Sequence, residues 1–147
     1  MYRPDITART PDGELVAVVE IKAGEIGPED ATEIRERIRT SMPEANKAYI
    51  LVLTQDNGYL WRPLSSGTPP GSLPTEFPMT DVVRHFLPEI GPSNRLRESE
   101  LSLIMLQWLR NLGSGEGGTG TEAGTSLAES GFTEAIRKSE VRWWDQG

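Results

Sequence analysis

The stretch RPDITARTPDGELVAVVEIK, residues 3–22, reads as two strands joined by a tight turn. Segments 3–10 and 14–22 are rich in Val, Ile and Thr, and the Pro-Asp-Gly sequence between them is typical of a hairpin turn. The run LVAVVEI is apolar almost throughout, which favours a strand covered on both faces. The sequence therefore predicts an antiparallel hairpin on which a sheet is built.

The composition limits the classes of function. A chain of 147 residues suggests one domain with a real core. Because it has no cysteine, disulfides, thiolate zinc sites and cysteine nucleophiles are excluded. The formal charge of −7 argues against nucleic-acid binding by bulk electrostatics, so any such contact needs a local basic patch. Neither a membrane-spanning apolar run nor an N-terminal signal segment is present, which predicts a cytoplasmic protein without membrane contact.

The chain after the hairpin continues the pattern of an α/β domain. Segment 28–42 has an apolar stripe and acidic residues in its first turn, as expected of a helix lying on a sheet. Segment 48–54 reads as a buried strand and segment 59–62 as a short one. Further helices are expected over 80–87 and 94–112. The sequence thus predicts an α/β fold with a central mixed sheet of about four strands flanked by helices.

The remaining residues suggest a division of the chain into three parts. We predict an α/β domain over 1–112 and a flexible Gly-rich linker over 113–126. Residues 127–147 are expected to form a helical segment that packs on the domain or on a partner. Trp143 and Trp144 near its end suit a partner surface, since aromatic residues are enriched at interfaces. We therefore consider a homodimer formed through this tail or through the long helix before the linker.

The hairpin places three charged residues in one pattern. With a two-residue Asp12-Gly13 loop, the numbers of paired residues sum to 25. Asp5 then lies opposite Glu20, and both side chains project from the same face of the sheet. Lys22 shares that face because side chains alternate along a strand. A four-residue loop gives the same pairing, whereas a three-residue loop without a compensating bulge shifts the register by one residue.

This pattern suits a divalent cation. Two opposed carboxylates repel each other, and a cation between them removes the repulsion. Mg²⁺ is usually bound by one or two carboxylates, with waters and phosphate oxygens completing its shell. Such a metal can activate a water molecule and stabilise a phosphate under attack, and a neighbouring ammonium can assist both effects. The residue types therefore fit metal-assisted hydrolysis of a phosphodiester.

The dipeptide PD at 4–5 and the tripeptide EIK at 20–22 resemble the PD-(D/E)xK signature of the restriction-endonuclease-like nuclease superfamily, especially its small bacterial members. The order that follows, a helix, a buried strand and a short strand, is similar to the common core of that fold. The resemblance implies a DNA-hydrolysing nuclease dependent on Mg²⁺ or Mn²⁺. It also implies that Asp5 and Glu20 bind the metal and that Lys22 is the catalytic lysine.

Three other interpretations stay open at this stage. The domain could be a catalytically inactive member of the same fold that serves as an interaction module, which the acidic net charge favours. Lys22 and Glu20 could form an ordinary exposed ion pair at a polar hairpin end. An α/β domain unrelated to nucleases would be favoured if Asp5 and Glu20 faced opposite sides of the sheet.

Other charged residues carry weaker signals. Arg35, Arg37, Arg39 and Lys47 could form a local basic patch, although glutamates on the same helix favour a solvated face. His85 is the only histidine, and one histidine cannot support a histidine-rich metal site.

Overall fold

Within the described residues, six strands form one mixed sheet. The computed structural model of the protein describes residues 4–64, 73–91, 93–115 and 120–144. The strands are β1 (Ile6–Arg9), β2 (Leu15–Ile21), β3 (Tyr49–Leu53), β4 (Asn57–Trp61), β5 (Thr75–Pro78) and β6 (Glu140–Trp143). Their order across the sheet is β5-β4-β3-β2-β1-β6. Strands β2 and β3 are parallel, and the other neighbouring pairs are antiparallel.

The predicted α/β class and mixed sheet are confirmed, but the predicted number of about four strands is too low. The two strands that the sequence did not indicate are β5 and β6, which form the edges of the sheet. Each has four residues and one buried side chain, Phe77 in β5 and Val141 in β6. Such short strands show no clear alternation of apolar and polar residues, so the pattern could not reveal them.

Helices cover both faces of this sheet. They are α1 (Pro28–Ser41), α2 (Thr80–Phe86), α3 (Glu98–Ser114), α4 (Glu122–Ser130) and α5 (Phe132–Ile136), with a 3-10 helix at Pro43–Lys47. Helix α3 begins at Glu98, later than the predicted residue 94. At this observed start, the Glu100 carboxylate accepts a hydrogen bond from the Arg97 N–H at 3.0 Å. No helix in the described ranges has both the length and the apolar composition needed to cross a membrane.

The sheet separates two apolar cores. In β2, Val19 and Ile21 face the larger core, which is closed by helices α2 to α5. Val18 faces the smaller core, which is closed by α1 through Ala31, Ile34 and Ile38. This alternation covers β2 on both faces, as its almost continuous apolar sequence predicts.

The C-terminal segment packs on the same sheet. It was predicted to be helical, but it also contains strand β6. Helix α3 reaches Ser114 and α4 begins at Glu122, so both ends of the predicted linker 113–126 are helical. Residues 116–119 of that linker lie outside the described residues. Phe132 of α5 is buried in the larger core. Strand β6 then pairs with β1 and becomes the edge of the sheet.

Candidate functional site

The turn between β1 and β2 differs from the predicted two-residue loop. The Gly13 N–H donates a hydrogen bond to the Thr10 carbonyl at 2.8 Å, and the Thr10 N–H donates to the Glu14 carbonyl at 2.9 Å. The loop therefore has three residues, 11–13. Gly13 has a φ of +88°, a left-handed conformation that glycine adopts without the steric cost of a Cβ atom.

A bulge in β2 restores the register that the third loop residue would shift. Arg9 pairs with Leu15, which leaves Val16 as an extra residue before the next pair. Beyond the bulge the numbers of paired residues sum to 25, as predicted, in the pairs Ala8–Ala17, Thr7–Val18 and Ile6–Val19. The predicted loop was wrong, but the predicted register of the strands is present.

This register sets Asp5 opposite Glu20. Asp5 directly precedes β1, and Glu20 directly follows Val19, the partner of Ile6. One further pair in the same register brings the two acidic residues face to face. Side-chain alternation then puts them on the face of the sheet that carries Val18 and helix α1. The register does not support the interpretation in which the two acids lie on opposite sides of the sheet.

Asp5 is held by both neighbouring strands. Its Oδ2 accepts a hydrogen bond from the Ile21 N–H at 2.8 Å. Its main-chain carbonyl accepts a hydrogen bond from the Trp144 N–H at 3.2 Å, directly after β6. The side-chain bond uses one of the two carboxylate oxygens and fixes the orientation of the other.

Glu20 is largely buried beside Lys22. The Glu20 side chain is 9% exposed and the Lys22 side chain 36% exposed, and their Oε1 and Nζ atoms lie 3.8 Å apart. Across the parallel pair, Glu20 lies beside Val52 of β3, a member of the smaller core. A carboxylate at the edge of an apolar core requires a cation or hydrogen-bond donors to offset its lost hydration. Lys22 supplies part of that compensation.

The donor set fits a hard divalent cation. Asp5 and Glu20 supply carboxylate oxygens on one face, and Mg²⁺ usually takes one or two protein carboxylates with waters in the remaining positions. Mn²⁺ prefers the same type of ligand. Among the described residues, no group of three or more acidic, histidine or cysteine side chains has a metal-binding arrangement. A site here would therefore depend on these two acids together with water or substrate oxygens.

Helix α1 covers only part of this face. Its apolar side packs on residues of β2, β3 and β4, including Val18, Ile50 and Tyr59. Over β1 and β6 the same face is open and forms a cavity of about 500 Å³. Trp144, which donates its N–H to Asp5, lies in the wall of that cavity. The cavity thus comes next to Asp5 on the β6 side, although Asp5, Glu20 and Lys22 are not among the residues that line it.

The contact between Trp144 and Asp5 was not indicated by the sequence. Trp144 and Asp5 lie near opposite ends of the chain and meet because β6 pairs with β1. Two arginines of the same cavity, Arg9 and Arg142, were also not identified. The only local signal was the unexplained Trp143-Trp144 pair at the end of the chain.

Two of the four residues considered for a basic patch, Arg35 and Arg39, are engaged within the fold, whereas Arg37 and Lys47 are exposed. Arg35 is 1% exposed, and its guanidinium lies over the Trp61 ring at 5.5 Å from the centroid. Burial lowers the pKa of Arg35 because it disfavours the charged form. Arg39 is engaged by Glu36 at 3.2 Å and by Asn46 at 2.8 Å. Arg35 and Arg39 are structural parts of the α1 layer.

Comparisons of the chain with protein-family models, with curated proteins and with solved structures each gave no match. The geometry of the site therefore carries the functional argument.

Proposed function

We propose that the protein is a Mg²⁺-dependent nuclease that hydrolyses DNA phosphodiester bonds, with Mn²⁺ as the alternative ion. The observation that carries this proposal is the placement of Asp5 and Glu20 opposite each other on one sheet face, with Lys22 next to Glu20. The order of β1, β2, α1, β3 and β4 along the chain supports the proposal, because it is the order of elements that the resemblance implies.

Asp5 and Glu20 would hold the metal through their carboxylate oxygens. The bound metal supplies a more acidic water and stabilises negative charge on the phosphate. Asp5 is oriented for this function by the Ile21 N–H, which holds one carboxylate oxygen at 2.8 Å. Glu20 is oriented by its position within β2 and by the closely packed edge of the smaller core.

Lys22 is the group that can contact substrate directly. It lies at the end of β2, and its side chain is more exposed than that of Glu20. Its ammonium can donate a hydrogen bond to the attacking water or to a phosphate oxygen on which charge develops.

Cleavage of supercoiled plasmid in Mg²⁺ tests this proposal. We expect nicking by the wild type, none in EDTA, and loss of activity in Asp5→Asn. Lys22→Met should lower the rate by about 10²–10³-fold, the usual effect of removing one charge-stabilising group. Asp12→Asn is the matched control, because Asp12 is an exposed aspartate in the turn of the same hairpin and should keep wild-type activity. Wild-type rates for Asp5→Asn, or cleavage that persists in EDTA, would refute the proposal.

A non-catalytic interaction module is the second candidate. The contact between Lys22 and Glu20 favours it, because an ammonium 3.8 Å from the carboxylate compensates the acid without a metal. Calorimetric titration with Mg²⁺ and Mn²⁺ separates the two candidates. Binding that disappears in Asp5→Asn supports the nuclease, whereas a folded wild type that binds neither ion supports the module.

A further inference from the structure

The open part of the sheet face carries two arginines and a tryptophan beside the candidate site. Arg9 of β1, Arg142 of β6 and Trp144 all line the cavity of about 500 Å³. The cavity is bounded at its far end by the β1–β2 turn at Pro11 and Gly13. We call this surface the β1–β6 groove.

The pairing of β6 with β1 explains why these side chains share one face. Thr7 pairs with Arg142, and Arg9 pairs with Glu140. Asp5 is in phase with Thr7 and Arg9, and Trp144 is in phase with Arg142, so all of them project on the same side. From Thr7 to Pro11 the groove runs for about 13 Å along β1, at about 3.3 Å per residue, and Asp5 lies two residues beyond Thr7.

The two arginines are engaged by carboxylates that a phosphate can replace. Arg9 forms an ion pair with Glu44 at 2.9 Å and also donates to the Gly13 carbonyl. Arg142 forms an ion pair with Glu140. In both pairs the side chains are between 35% and 60% exposed, and exposed ion pairs are weak. A polyanion that contacts both arginines at once can compete with these single carboxylates.

We propose that the β1–β6 groove binds a single strand of nucleic acid and leads it to Asp5 and Glu20. Arg9 and Arg142 contact phosphates. The Trp144 ring is half-buried against the smaller core, and its exposed part stacks on a base. This assignment rests on the proposed function, because a nuclease centre at the end of the groove is what makes nucleic acid the ligand.

Two features favour a single strand over a duplex. Stacking on Trp144 requires a base whose faces are free. Two arginines on a protein with a net charge of −7 supply few phosphate contacts, and a duplex presents a denser charge than a single strand.

Binding in EDTA tests the groove without requiring catalysis. The full chain is titrated into a fluorescein-labelled oligo(dT) of about 12 nucleotides, and anisotropy is followed. At low salt we expect Arg9→Ala and Arg142→Ala each to weaken binding by about 3–10-fold. Trp144→Ala should weaken it by about 10-fold or more, and Trp144→Phe should recover most of that loss because a ring remains for stacking.

Arg137→Ala is the matched control for Arg142→Ala. The Arg137 side chain is 52% exposed and that of Arg142 46%, and each arginine forms an ion pair with a glutamate. Arg137 follows α5 and does not line the groove. Its removal should leave the affinity within twofold of the wild type, while thermal unfolding shows that each variant is folded.

The salt dependence gives a second readout. Two phosphate contacts to a single strand predict a slope of about −1.4 for log K against log salt, and removal of either arginine should change it to about −0.7. Unchanged affinity and slope in folded Arg9→Ala, Arg142→Ala and Trp144→Ala variants would overturn the groove assignment. Tighter binding of a duplex of equal length would also overturn it.

The outcomes also separate this assignment from the proposed function. Groove-dependent binding in EDTA without cleavage in Mg²⁺ would support the groove and refute the nuclease. Metal-dependent cleavage with groove variants at wild-type affinity would support the nuclease and refute the groove.

Discussion

The main-chain N–H of Ile21 donates a hydrogen bond to Oδ2 of Asp5 at 2.8 Å. The same carboxylate that is proposed to bind metal therefore also accepts a main-chain donor of a fully buried residue. A substitution at Asp5 can for this reason affect stability as well as chemistry, and the choice of substitution decides which effect is measured.

Asp5→Ala and Asp5→Asn are expected to differ in stability. Alanine removes the acceptor of the Ile21 N–H and should lower the free energy of unfolding by about 1–3 kcal/mol, the cost of an unpaired buried donor. Asparagine keeps an acceptor oxygen and should lie within about 0.5 kcal/mol of the wild type. Urea denaturation of both variants checks this, and equal losses in both would show that the hydrogen bond is not what stabilises the hairpin end.

Gly13→Ala should destabilise the hairpin through the backbone alone. Gly13 has a φ of +88°, and a Cβ atom added there would lie in open space. Alanine would therefore add backbone strain but no contact with neighbouring atoms. The expected loss is about 1–2 kcal/mol. Gly24→Ala is the matched control, because its Cβ would also lie in open space and its φ is not positive. That variant should be neutral or more stable by up to about 1 kcal/mol, and similar losses at both positions would contradict the argument.

Tyr59 should make the stability depend on alkaline pH. Burial raises the pKa of Tyr59, and Glu76 adds to this effect. Its hydroxyl donates to the Ile26 carbonyl at 2.8 Å, which requires the protonated form. Because the folded-state pKa lies above the unfolded value of about 10, this contribution is complete below pH 10 and is lost as the pH rises through the folded-state pKa.

Tyr59→Phe isolates that contribution. At neutral pH we expect a loss of about 1–3 kcal/mol in the free energy of unfolding, because the Ile26 carbonyl loses its donor. The difference between wild type and variant should shrink when urea denaturation is repeated at rising pH above about 10. A difference that stays constant or grows over that range would contradict the assignment.

Replacing Arg35 by methionine should stabilise the protein. Among the described residues, Arg35 Nε and Nη1 have no hydrogen-bond acceptor although they are buried. Methionine is similar in length and removes a buried charge. The free energy of unfolding should therefore rise by about 1–3 kcal/mol, despite the lost contact with the Trp61 ring and the lost ion pair with the exposed Glu36 at 3.7 Å. Arg37→Met, on the exposed side of the same helix, should change it by less than about 0.5 kcal/mol. A clear loss in Arg35→Met would show that the guanidinium is satisfied in solution.

The candidate site was predictable to the extent that it depends on the hairpin. The opposition of Asp5 and Glu20 follows from the pairing of adjacent strands. Even so, the register results from a three-residue loop combined with a bulge at Val16. The Asp-Gly signal in the sequence did not distinguish this combination from a two-residue loop without a bulge. Two changes of one residue each cancelled, because burial of Val19 and Ile21 in the larger core requires this alternation.

The sequence by itself determined the α/β class, the hairpin and the face that Asp5, Glu20 and Lys22 share, because these depend on residues near each other along the chain. Only the tertiary structure decided that β6 pairs with β1, that Trp144 lies beside Asp5, and that Arg35 is buried under α1. Contacts between distant segments depend on how the apolar faces of whole helices and strands pack. A periodic pattern records that a side chain is buried or exposed, but it does not record which partner covers it.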